Sequence, residues 1–232
     1  MDFLLDGLRQ ALLLIATFDP ATFSTIGVTL RASALALCAA MLIGVPTGFV
    51  LGYFDFPGRR FLRLITETLL AFPTVVIGLL VYAFLTRHGP LGDLGLLFTI
   101  PGMAIGLAIL GLPIVTAMTA VAVEGIDEDV RQTILTLGAS RLQAVWCCLT
   151  ETRHAIALAV VTAFGRIATE VGIAMMIGGN IKWHTRTMTT AIALETGRGE
   201  FAQGIALGII LLLIAFGVNF CVAVLRRMGG SQ

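Results

Sequence analysis

The sequence predicts an all-α polytopic membrane protein, and three observations carry that prediction. Its 232 residues are 57% hydrophobic and only 12% charged, whereas soluble domains hold about 45–50% and about 25% respectively. Five long apolar stretches, roughly 27–52, 64–86, 96–123, 155–178 and 203–225, each reach the length of about 20 residues that crosses a bilayer as a helix. Alternation at period two, the mark of a membrane β-barrel, is absent. Together these exclude an ordinary soluble enzyme and a disordered chain. A net charge of +1 leaves no basic footprint for nucleic acid.

The N-terminal segment, residues 1–24, reads as an interfacial helix rather than a span. Leu4, Leu8, Leu12 and Ile15 share one helical face, with Asp2, Asp6, Arg9 and Gln10 away from it, a pattern that lies in the bilayer surface. Asp2 and Asp6 stand where a secretory signal needs basic residues. Pro46, Pro73, Pro101 and Pro113 fall within the spans. They are tolerated there because neighbouring helices satisfy the freed backbone groups. Abundant Ala and Gly let helix backbones approach closely.

Basic residues set the expected orientation. Arg59, Arg60, Arg63, Arg131, Arg141, Arg153, Arg226 and Arg227, eight in all, lie on one side. Arg9, Arg87, Lys182, Arg186 and Arg198, five in all, lie on the other. The bias puts residues 53–63, 124–154 and the C-terminus in the cytoplasm, with the N-terminus outside.

The longest polar interruption is the loop 124–154. Helical spacing on either side of Gly138 predicts two short helices joined by a glycine turn. Ile134, Leu135, Leu137, Leu142, Val145 and Trp146 give the loop more apolar surface than a plain solvated connector exposes. Asp129 to Trp146, DVRQTILTLGASRLQAVW, resembles the EAA loop of ABC-transporter permeases of the molybdate, sulfate and methionine uptake type. The resemblance implies a type I ABC importer permease (MetI-like) fold over a single transmembrane domain, residues 1–232. It also implies a coupling helix that docks on a cytoplasmic ATPase. On that resemblance Gln132, Thr133 and Ile134 take the Glu-Ala-Ala positions and Gly138 the family glycine. Asp129, Arg131, Leu137, Ala139 and Ser140 complete the ATPase-coupling set.

A phosphate-binding loop of the Gly-x-x-x-x-Gly-Lys-Ser/Thr type needs a lysine to reach the nucleotide phosphates. The only lysine is Lys182, between Ile181 and Trp183, so ATP hydrolysis is expected from a separate subunit that holds ATP and Mg. No catalytic residue and no bound cofactor are expected in this chain. His88, His154 and His184 lie apart, and Cys38, Cys147, Cys148 and Cys221 form no ligand spacing, so no metal site and no disulfide framework are expected.

Arg166 and Glu170 lie four residues apart within the fourth apolar stretch, on one helical face. A charge at membrane depth costs about 2.5–3.5 kcal/mol on insertion scales, so such groups pair or face a cavity. A mutual pair that locks the bundle and a pair that lines or gates the path are both open on the sequence. Glu67 and Arg31 read as boundary residues reaching toward the headgroups. The segment 178–187 brings Gly178, Gly179, Asn180, Lys182, His184, Thr185, Arg186 and Thr187 together, a set of donors for an oxyanion.

That segment is similar to the external-gate region of molybdate-type permeases, and residues 165–181 and 189–196 look closer still to tungstate permeases. The resemblance implies a translocation or gate role for Arg166, Glu170, Met175, Met176, Asn180, Thr185, Arg186 and Thr187. It further implies a homodimer with two ATPase subunits and an extracytoplasmic oxyanion-binding protein, embedded in the lipid of a prokaryotic inner membrane. Closure of the ATPases would then move the coupling helices and open the outer gate. Tungstate is the expected substrate, with molybdate and then sulfate as alternatives. A secondary transporter or channel is the rival class, but five spans divide poorly into two matching halves.

Overall fold

The computed structural model describes residues 2–229, and every regular element among them is helical. In chain order these are α1 (Asp2–Ala16), α2 (Pro20–Tyr53), α3 (Arg59–Leu70) and α4 (Thr74–Leu85), then a 3-10 turn (Gly92–Leu94) and α5 (Ile100–Glu124). They continue with α6 (Glu128–Thr136), α7 (Arg141–Glu151), α8 (Arg153–Ala168), α9 (Gly172–Gly178), α10 (Met188–Gly197) and α11 (Phe201–Gly229).

Helices α2, α5 and α11 are long and apolar enough to cross a membrane unbroken. The first span begins earlier than the hydropathy predicted, at Pro20 instead of residue 27. Asp19 caps it, its carboxylate accepting from the Thr22 amide at 2.8 Å, and Pro20 fits the first helical turn, where its missing N–H costs nothing.

The second and fourth apolar stretches are not continuous helices. The predicted span 64–86 is α3 followed by α4 at a bend of 99°. Proline at 73 cannot donate a helical hydrogen bond and disfavours helix at Phe72, so α3 ends there. The predicted span 155–178 divides into α8 and α9 around Thr169–Val171, and α8 meets α7 at a 65° bend. At 1.5 Å per residue α4 is about 18 Å long and α8 about 24 Å, each short of a hydrocarbon core of about 30 Å. The described residues thus hold three continuous spans, or up to five if each bent pair is one.

Small residues set the central contact between α2 and α5. A Cβ on Gly48 would stand 2.5 Å from the Thr116 carbonyl oxygen, and one on Gly52 2.6 Å from that of Ala120. Only glycine lets the two backbones come this near. Around this pair, Val28, Ala32, Ile77, Met103, Leu107, Ile167, Ile173 and Ile177 form the main buried cluster. It joins α2, α4, α5, α8 and α9.

The N-terminal helix docks on the last span. Gly7 and Ala11 press α1 against Ile205, Ala206 and Ile210 of α11, and Gln10 donates to Gln203 at 2.9 Å. Leu4, Leu8 and Leu12 point outward. The helix therefore docks on a span through its small residues and Leu14 and turns Leu4, Leu8 and Leu12 away from the protein.

The loops sort to two ends of the bundle. At one end Arg59 pairs with Asp55, and both Arg59 and Arg63 pair with Glu124. This ties the α2–α3 connection to the start of the loop 124–154. At the other end the Phe98 amide donates to the Ile177 carbonyl at 2.9 Å, and the Met188 amide to Thr29 Oγ1 at 2.9 Å.

Candidate functional site

The loop 124–154 forms the two short helices expected, α6 and α7, and Gly138 between them has φ +70°. Ser140 caps α7. Its hydroxyl accepts from the Gln143 amide, and the Gln143 side chain accepts from the Ser140 amide at 2.8 Å. This reciprocal pair satisfies two otherwise unbonded donors. One face of α7, with Ala144 and Cys148, packs on Phe49 and Val123 at the ends of α2 and α5. That contact fixes the loop rigidly to two spanning helices.

The opposite face is bare. Leu137 and Leu142 are each 80% exposed and Trp146 70%. Leu142 and Trp146 lie one helical turn apart, with Leu137 just before the glycine turn. Asp129, Gln132, Thr133, Gly138 and Ser140 are exposed beside them, and Ala139 is half-buried. The side chains of Arg131 and Ile134 lie outside the described residues. An exposed apolar surface of this kind is larger than a plain connector shows and is of the sort that protein partners cover.

Nothing lies within 4 Å of a Cβ built on Gly138. Substitution there acts through the positive φ alone within this chain, or through a partner that approaches closely. Asparagine tolerates a left-handed conformation and valine does not. Gly138→Val is expected to weaken at least fivefold the recovery of the ATPase that the resemblance implies, and Gly138→Asn to restore it. If Gly138→Asn fails as badly as Gly138→Val while the permease still inserts, close approach of a partner is the cause rather than φ.

The second region surrounds the break between α8 and α9. Glu170 is 5% exposed. Its Oε2 accepts from Arg166 at 2.9 Å, and its Oε1 accepts from the amides of Gly172 at 3.0 Å and Ile173 at 3.4 Å. Its carbonyl accepts from the Thr189 hydroxyl at 3.0 Å. One residue thus ends α8, starts α9 and anchors α10. The Arg166 side chain remains 45% exposed. Arg166 and Glu170 do pair as their spacing predicts, across a break in the helix rather than along it.

The segment 178–187 is less free than its donor content implies. Thr185 is buried, donating to the Gly178 carbonyl and accepting from the Ile181 amide. Thr187 is buried as the cap of α10, accepting from the Thr190 amide. Arg186 donates to Asn180 Oδ1 at 3.1 Å, and Asn180 itself has φ +51°. These groups hold the turn together. Met175 is exposed and Met176 half-buried, its sulfur close to Gly78 of α4. Lys182, Trp183 and His184 are exposed. Sequence reasoning missed the Arg59–Glu124–Arg63 cluster and the Thr189 anchor. It also left Leu142 and Trp146 outside the coupling set, although their four-residue spacing was available.

Among the described residues, no group of three His, Cys, Asp or Glu side chains could hold a metal ion. Residues 44–228 match the family model described as binding-protein-dependent transport system inner membrane component. The chain is 47% identical over 227 residues to the tungstate uptake system permease protein TupB of Campylobacter jejuni, covering 98% of this chain and 95% of that protein. It is 35% identical to TupB of Peptoclostridium acidaminophilum, covering 94% and 96%. The crystal structure of a bacterial alginate ABC transporter in complex with a pentasaccharide-bound periplasmic protein superposes with a TM-score of 0.77 at 18% identity, over 97% of this chain and 88% of that one. The chain belongs to the family of binding-protein-dependent transport system inner membrane components, the membrane-spanning permeases of ABC importers.

Proposed function

We propose that this chain is the permease subunit of an ATP-driven tungstate importer. The near-full-length likeness to a tungstate permease carries the substrate, and the bare apolar face of Leu137, Leu142 and Trp146 supports a docked ATPase. Molybdate and then sulfate are the alternative substrates, all three being tetrahedral dianions. Two copies of the chain form the path along their shared axis. Two ATPase subunits hold ATP and Mg, and an extracytoplasmic binding protein delivers the ion. The permease binds no nucleotide and catalyses no reaction. Asp129, Arg131, Gln132, Thr133, Ile134, Leu137, Gly138, Ala139 and Ser140 act in coupling, and Arg166, Glu170, Met175, Met176, Asn180, Thr185, Arg186 and Thr187 act at the gate.

The path of force is short. A push on α6 and α7 reaches α2 and α5 through Phe49 and Val123, and reaches α3 through Glu124 with Arg59 and Arg63. The test is ATP hydrolysis by the reconstituted complex with binding protein loaded with each oxyanion. Tungstate-loaded protein is expected to stimulate most. Equal or greater stimulation by molybdate or sulfate overturns the substrate assignment.

The orientation is N-terminus outside and C-terminus inside, with the loop 124–154 cytoplasmic. In a cysteine-free background, a Leu91→Cys variant is expected to react with a membrane-impermeant maleimide added to intact cells, and a Gly229→Cys variant only after lysis. The reverse pattern sinks the orientation and the placement of the coupling loop with it.

A further inference from the structure

At the end of the bundle opposite the coupling loop, α2 and the turn 179–187 enclose a cleft of about 390 Å³. Arg31, Ser24 and Gly27 of α2 line it with Trp183 and His184 of the turn, and no lining residue is a carboxylate. Neither Arg166 nor Glu170 belongs to it. Arg31 is exposed and has no ion pair or hydrogen bond among the described residues. Arg59, Arg63, Arg166 and Arg198 each pair with a carboxylate and Arg186 is held by Asn180, whereas Arg9, Arg60 and Arg87 are unpaired like Arg31 but do not line this cleft.

The other wall is strained. Trp183 has φ +70°, a conformation that bulky residues keep only where the surroundings impose it, and such residues gather at binding sites. Lys182 Nζ lies 5.2 Å from the centre of the Trp183 ring, placing a second positive charge beside the cleft. A cleft of this size holds roughly a dozen water volumes, enough for a tetrahedral dianion with part of its hydration shell.

We infer that this cleft is a docking site on the permease itself for the free oxyanion, with Arg31 as its principal ligand and His184 as an accessory donor. The inference rests on the oxyanion-importer reading. A guanidinium presents two parallel N–H donors that match two oxygens of a tetrahedral oxyanion. With no carboxylate in the lining, nothing competes for that fork. The site would receive the ion at the outer mouth, between the binding protein and the Arg166–Glu170 break. A phospholipid headgroup presents the same chemistry to an arginine at a membrane surface, and the experiment separates the two sources.

The test is equilibrium binding of radiolabelled tungstate to the assembled permease–ATPase complex, without binding protein, in nanodiscs of phosphatidylcholine or of phosphatidylglycerol. The wild type is expected to bind saturably, one ion per permease chain, in phosphatidylcholine. Arg31→Gln is expected to bind at least tenfold more weakly, Arg31→Lys to fall between, and Arg87→Gln, in the neighbouring outer loop, to match the wild type. His184→Ala, altered only in an exposed turn, is expected to bind at least threefold more weakly and serves as a second variant should Arg31→Gln not assemble. Absence of wild-type binding, or equal binding by Arg31→Gln, overturns the site. So does an Arg31→Gln effect confined to retention of phosphatidylglycerol, which makes the arginine a lipid contact. Failure of the wild-type complex to take up any oxyanion from loaded binding protein instead overturns the importer reading, and the binding result stays readable.

Discussion

Replacing Trp146 and Leu142 together with alanine is expected to remove the ATPase from the purified complex and abolish uptake, while the permease alone keeps its melting temperature within about 2 °C. Both side chains are at least 70% exposed, so truncation leaves no cavity in this chain, and exposed substitutions of this kind stay within about 0.5 kcal/mol of neutral. At a protein interface the same groups count for far more. Buried aromatic anchors cost about 2 kcal/mol or more each when truncated, and the pair together is expected to weaken ATPase binding at least a hundredfold. Pull-down of the ATPase by tagged permease, beside a thermal melt of the permease alone, reads both effects. Ala144 and Cys148 on the opposite face of α7 provide the contrast. They are buried against Phe49 and Val123, so enlarging Ala144 to leucine is expected to lower the melt first and docking only as a consequence. Intact ATPase recovery with the Trp146/Leu142 double variant removes this face from the coupling assignment.

What the sequence made legible follows from which forces act locally. Composition and the length of apolar runs report solvation by lipid, and they located α2, α5 and α11 to within several residues. The turn at Gly138 was legible because helical spacing on either side and a glycine that tolerates positive φ lie within a few positions, whereas the Ser140–Gln143 cap emerged only from the structure. The breaks were not read, although the first had a local signal. Pro73 marks the end of α3 as clearly as any residue can, but hydropathy averages across it. Glu170 is harder. Its spacing to Arg166 predicts an ion pair on a continuous helix, and the pair forms, yet the same carboxylate also accepts two amides beyond the helix end. That competition between a helical hydrogen bond and a side-chain acceptor is decided by α10, whose Thr189 holds the Glu170 carbonyl from a distance of 19 residues. No local pattern carries it. The turn 179–187 shows the converse limit, since Thr185, Arg186 and Thr187 look like free donors in the sequence and are spent on their own backbone and on Asn180.

Those contacts also determine how the role of the Arg166–Glu170 pair is to be tested. Glu170→Leu is expected to be the most damaging single change in the chain, because it strands a half-exposed Arg166 and the amides of Gly172 and Ile173 at once. Arg166, 45% exposed, keeps contact with solvent and so loses only part of the about 3–5 kcal/mol of a fully buried pair, while each unsatisfied buried amide costs about 1–3 kcal/mol. Little assembled protein should survive, and such a loss says nothing about gating. Removing both charges with leucines shares the defect, since the two amides still lose their acceptor. The discriminating variant is Arg166→Met with Glu170→Gln. The glutamine oxygen still accepts from Gly172 and Ile173, methionine covers the same surface, and neither charge remains. Were the pair only a lock between α8 and α9, this protein would assemble with its ATPase and import at close to the normal rate. A guanidinium 45% exposed on this chain's surface at the break favours the other role, since charges retained in membrane segments pair or face a cavity rather than lipid. The expected result is therefore an assembled complex, melting within a few degrees of the wild type, whose uptake and substrate-stimulated ATP hydrolysis fall at least tenfold. Normal uptake by that complex would return the pair to a purely structural role.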